Sequence, residues 1–126
     1  MESKTDSLNE MFLLREEFMN ALVQHRGIYP KWPLDVSDKE NQQILRDSVL
    51  RGVEEMFEAL QELKNNKPHR KTEIPNFNRE AFVEENVDAF NYFFTTLILV
   101  GVTPDELLKS YKSKHRVIMK RLEEGY

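Results

Sequence analysis

Two pairs of carboxylates are the residues here whose type and spacing can do chemistry. Glu55 and Glu58 stand three positions apart, as do Glu85 and Asp88. On a helix, positions i and i+3 share a face about one turn apart, so each pair presents its acids together. Oxygen ligands without His or Cys suit Mg²⁺ or Mn²⁺. Two such ions can bridge phosphate oxygens and activate a water for in-line attack. That is chemistry for a nucleoside triphosphate or a similar polyphosphate, with Lys and Arg holding the remaining phosphate charge. Chance is the competing account. The chain has 22 Asp and Glu residues, and acidic i,i+3 pairs arise easily at that density. A third pair, Asp35 and Asp38, falls at a loop and helix start, where capping explains it.

Asp88 is set in an unusual context. The stretch 84–101, EENVDAFNYFFTTLILVG, is the most apolar in the chain. An all-round apolar helix is a buried helix. A carboxylate buried there is neutralised, paired or bound to metal. Burial of Asp88 is therefore an expectation of the sequence.

Four helices must position these groups. Leu8, Met11, Phe12, Phe18, Met19 and Leu22 give a 3.6-residue period over 8–25. Gly27, Pro30 and Pro33 then break it, in a loop that carries the only tryptophan, Trp32. Trp32 has two readings, as a packing residue or as a stacking platform for a ligand base. Ser37 and Asp38 can cap a second helix, with Glu40 at capping-box spacing from Ser37. That helix runs to about residue 65. Leu45, Val49, Val53, Met56, Leu60 and Leu63 form its apolar stripe, with Arg51, Glu55, Glu58 and Glu62 on roughly the opposite side. A solvated acidic face is the plain reading of the second stripe. Gly52 would let another backbone approach near Glu55.

The segment 64–77 is a polar, basic connection, either a linker or a flap carrying Lys67, Arg70 and Lys71. It lets the second and third helices pack antiparallel. Asn78 caps the third helix, which runs to Val100 and stops at Gly101. Thr103, Pro104, Asp105 and Glu106 open the fourth, with a cap, a first-turn proline and two acids at the positive end of the dipole. Its apolar stripe is Leu107, Leu108, Tyr111, Ile118 and Leu122, flanked by Lys114 and Arg121. Those cations read either as a solvated face or as a phosphate site. No segment alternates as a strand, and there is no internal repeat. The expected fold is a single all-α domain over 1–126.

Composition narrows the function. Apolar residues at 40% and charged residues at 32% suit a soluble globular protein. There is no cysteine, so disulfides, Cys-type zinc sites and thiol nucleophiles are excluded. That fits a reducing, cytoplasmic setting. The three histidines are too scattered for an HExxH site, and no glycine-rich phosphate loop is present. Residues 1–6 show no signal-like core, and the run 87–100 is too short to span a bilayer. The net charge of −4 does not favour nucleic acid. Basic residues gather instead at 109–121, local positive charge suited to a small anion.

The chain resembles the all-α nucleoside triphosphate pyrophosphatases: MazG-like enzymes, dCTPases and dimeric dUTPases. The resemblance is carried by EExxE at 54–58, ExxDxF at 85–90 and GVTPDELLKSYKSK from Gly101. It is closest to the phage dCTPase–dUTPase branch, covers 54–126, and extends to the ending with Arg121 and Gly125-Tyr126. The resemblance implies a four-helix core and Mg²⁺-dependent hydrolysis of a dNTP to dNMP and pyrophosphate. Glu55, Glu58, Glu85 and Asp88 would be the metal ligands, with Glu55 orienting or deprotonating the attacking water. Lys114 and Arg121 would bind phosphate, with Tyr111 nearby. Asn91, His115 and Trp32 are candidates for the substrate pocket. Homodimers or higher homo-oligomers are implied, with sites completed near the subunit interface.

The chain also departs from that pattern. Asn91 stands where the family often has His. Lys114 matches the lysine of the family's KNxxN motif, but His115 and Ile118 replace its asparagines. The loop between the acid pairs is shortened and lacks tryptophan. A glutamine expected on the first helix has only Arg15 or Gln24 as candidates.

Overall fold

A computed structural model describes residues 6–63, 69, 71 and 76–125. It contains four helices: α1 (Ser7–Arg26), α2 (Lys39–Gln61), α3 (Arg79–Leu99) and α4 (Pro104–Glu123). No strand occurs among the described residues. Of the basic connection after α2, Lys67 and Arg70 lie outside the described residues, as does Tyr126, and Lys71 is exposed.

Each helix start is fixed by a side-chain acceptor for a free backbone N–H. Asp6 accepts from the amides of Leu8 and Asn9, Asn78 from Ala81, and Thr103 from Glu106. At α2 the cap is Asp38, which accepts from the Glu40 amide at 2.8 Å. The expected Ser37–Glu40 capping box is absent because Asp35 holds Ser37, accepting from both its amide and its hydroxyl. Gly27 ends α1 in the left-handed region, at φ 60°.

The chain divides into two compact units, Met1–Pro33 with Leu97–Tyr126, and Leu34–Thr96. In the first, α1 and α4 are in contact. Phe12, Met19, Ile98 and Leu99 supply its buried apolar side chains. Trp32 is half-buried. Its indole Nε1 donates to Glu16 at 3.0 Å, and its ring meets Tyr29 edge-on. A cavity of about 260 Å³ opens beside it, lined by Phe12, Leu13, Glu16 and the turn at 101–104.

The second unit holds α2 and most of α3. Ser48 lies near Tyr92 and Thr96, Gly52 near Phe93, and Glu55 and Glu58 near Glu85. The contacts run in opposite order along the two helices, so they pack antiparallel. The α2 face that α3 covers is not the apolar stripe. It carries Ser48, Gly52 and Ala59, all buried, together with Glu55. The stripe Val49, Val53, Met56, Leu60 and Leu63 stays 38–57% exposed. The apolar stripe seen in the sequence is therefore not the face that meets α3: small residues let the helices approach, and the large ones are turned aside.

The reading of α3 as buried all round is corrected. Ala89, Thr95, Ile98 and Leu99 are buried, but Val83, Val87 and Phe90 are about half-exposed, and Asp88 is exposed. Buried positions gather toward the C-terminal end of α3.

No described helix is long and apolar enough to cross a membrane by itself.

Candidate metal centre

Glu55 and Glu58 sit one turn apart on α2, and Glu85 faces them from α3. One carboxylate oxygen from each can be chosen so that all three lie within 4.8 Å of one another. The local sequence explains the approach. Above the cluster, a Cβ placed on Gly52 would lie 2.6 Å from Cε1 of Phe93. Only glycine admits that ring, and the ring's seat brings α3 close to α2 beside Glu55. The expected close approach at Gly52 is thus made by a side chain rather than a backbone. Further along, the Ser48 hydroxyl donates to the Tyr92 carbonyl at 3.1 Å, and the Thr96 hydroxyl lies 3.0 Å from Ser48 Oγ. These bonds fix the register in which Glu55 and Glu58 face Glu85.

The electrostatics follow from the crowding. Burial pushes the Glu55 carboxyl above its ordinary value, and the charge of Glu58, a hydrogen bond with Glu58, and the charges of Asp88 and Glu85 push the same way. Burial also leads for Glu85, followed by Glu58, Asp88 and Glu62. Like charges this close disfavour the ionised state of each other. A proton or a bound cation would relieve this repulsion, and an all-oxygen donor set suits a hard divalent ion. The residues present therefore fit such an ion.

Asp88 departs from the expected set of four ligands. Its charge acts on both Glu55 and Glu85, but it is exposed and does not belong to the close group of three. The apolar residues of its sequence neighbourhood are partly turned to solvent, so no buried environment surrounds it. Glu62, which acts on Glu85, belongs to the acidic stripe of α2 and was legible in its spacing.

The other candidates fall elsewhere. Asn91 is half-buried on α3, in the unit of the cluster. Tyr111, Lys114, His115 and Arg121 are exposed on α4, and Trp32 lies in the same unit as α4. Trp32 has its hydrogen bond to Glu16, a partner sixteen positions away that no sequence spacing announced. Arg15 lies 4.9 Å from the centroid of the Phe18 ring, and Gln24 is exposed.

No protein-family model, curated protein or solved structure matches this chain.

Proposed function

We propose that the protein is a divalent-cation-dependent nucleoside triphosphate pyrophosphohydrolase of dUTPase or dCTPase type, converting a pyrimidine dNTP to dNMP and pyrophosphate. The observation that carries the reading is the meeting of Glu55, Glu58 and Glu85 across two helices. Their mutual repulsion is what a bound cation would offset. Glu55, Glu58 and Glu85 would hold Mg²⁺ or Mn²⁺, with Asp88 at the edge of the set. When bound, the ion polarises phosphate oxygens and lowers the pKa of a bound water. Glu55, the half-buried member of the α2 pair, is assigned to orient the attacking water or take its proton. Lys114 and Arg121 are assigned to the phosphates, with Tyr111 beside them. Asn91, His115 and Trp32 are assigned to the nucleoside.

The reading includes self-association into a homodimer or a higher homo-oligomer. The apolar stripe of α2 is left exposed, and an exposed stripe of this kind marks an interaction surface.

A second reading, a non-catalytic nucleotide-binding protein, is favoured by two observations. Asp88 is exposed rather than held in a buried site. His115 and Ile118 stand where the related enzymes carry asparagines.

The deciding experiment is pyrophosphate release from a panel of dNTPs and NTPs, with and without Mg²⁺. Mg²⁺-dependent release from one pyrimidine nucleotide supports the first reading and names the substrate. Release from many nucleotides shifts the assignment to a MazG-like enzyme of broad specificity. No release from a folded, metal-binding protein sinks the hydrolase reading.

A further inference from the structure

Two helices expose apolar arcs of matching form and opposite border charge. On α2, Val49, Val53, Met56, Leu60 and Leu63 recur at alternating spacings of four and three, the spacing of a coiled-coil seam. Leu50 and Phe57 widen the arc, and both are more than half exposed. At 100° per residue, Asp47 and Glu54 stand just beyond them. Both are exposed, and Asp47 shares its charge with Arg51 at 3.2 Å.

On α4, Leu108, Tyr111, His115, Ile118 and Leu122 recur at the complementary alternation of three and four. No residue of α4 is buried, and Tyr111 is 70% exposed. Lys112 and Arg116 border this arc on one side, and Lys114 and Arg121 on the other. Between Leu107 and Leu122 every charged side chain is basic.

We propose that α4 of one copy of this chain docks along α2 of a second copy. Pairing α2 with itself would set Asp47 and Glu54 against an acidic border. Pairing α4 with itself would set cations against cations on both sides. The crossed pairing alone buries both apolar arcs with opposite charges at the border, and like-charge borders are the device by which wrong pairings are rejected. Made reciprocally, the exchange uses each α2 and each α4 once. The inference rests on the self-association proposed above, and Tyr111 and His115 would serve both this seam and the nucleotide contacts proposed there.

The test is sedimentation velocity on two charge-reversed variants of the full chain. One carries Lys112→Glu and Arg116→Glu; the other carries Asp47→Lys and Glu54→Lys. In each variant alone, both seams join like charges, and self-association weakens at least tenfold. Mixed in equal amounts, the two variants associate again, because every seam then joins opposite charges. Glutamine replacements at the same four positions give a smaller loss in each variant, and circular dichroism confirms that helicity is kept. A monomeric wild type overturns both this inference and the proposed self-association. A dimer insensitive to the reversals, or one weakened by them but not recovered on mixing, overturns this inference alone. Pyrophosphate release is scored separately and bears on neither.

Discussion

The ring of Phe93 rests on the backbone of Gly52, with no room between them for a methyl group. Alanine at position 52 would gain about 1 kcal/mol in helix propensity. Against that stands the displacement of Phe93, and overpacking of this kind costs about 1–3 kcal/mol. Gly52→Ala is expected to lower stability by roughly 1 kcal/mol net. Chemical denaturation measures it, and Phe93→Leu in the same chain should recover part of the loss. Additive effects of the two changes would show that the ring does not meet residue 52.

Removing one charge from the carboxylate cluster separates stability from metal binding. Glu55→Gln relieves repulsion among Glu55, Glu58 and Glu85, so without divalent cation the variant should melt no lower than the wild type. Added Mg²⁺ should raise the melting temperature of the wild type and leave Glu55→Gln nearly unmoved. Turnover, where the wild type shows it, should fall on the order of 10²-fold or more. An unchanged Mg²⁺ response in the variant would remove Glu55 from the ligand set.

Asp88→Asn asks a different question, because Asp88 is exposed and acts on the cluster through its charge. The variant should fold like the wild type. A direct ligand predicts a loss of turnover comparable to Glu55→Gln. A charge that only tunes its neighbours predicts a smaller loss and a shifted pH profile. Equal activity in variant and wild type would strike Asp88 from the site.

The raised carboxyls of Glu55 and Glu85 fix the sign of a pH effect. Their ordinary value is 4.5, and each lies above it in the folded protein. Between the ordinary and the raised values the folded state holds more protons than the unfolded one, so stability falls as pH rises through that window. Below 4.5 both states are protonated and the penalty is absent. Melting temperatures taken with and without Mg²⁺ should therefore converge at acid pH and separate toward neutrality. A metal-dependent gain that is as large below the window as above it would argue against these carboxylates as the ligands.

Much of the helical plan was legible because it depends on local chemistry. Asn78, Thr103 and Pro104 mark helix starts by what their own side chains can do, and all three stand where expected. Glu55 with Glu58, and Glu85 with Asp88, were legible as pairs, since three-residue spacing on a helix dictates a shared face. Which face of α2 meets α3 was not legible. Counting apolar residues favoured Val49, Val53 and Met56, whereas the contact is made through Ser48, Gly52 and Ala59, where close approach matters more than hydrophobicity. The same error misplaced Asp88: apolar composition measures what a helix can bury, not which part of it a neighbour reaches. The Trp32–Glu16 bond was hidden for a simpler reason, that it joins a loop to a helix with no periodic relation between them.

That bond has a consequence for following the protein in solution. Trp32 is the only tryptophan in the chain, it is held against Glu16, and it belongs to the unit built from α1 and α4. Fluorescence excited at the indole band therefore reports from the unit that holds Trp32, while helical ellipticity records both. A cation taken up by the carboxylates of the other unit should shift the ellipticity melt. The emission melt follows it only as far as the two units unfold cooperatively, so the gap between the curves measures their coupling without any label.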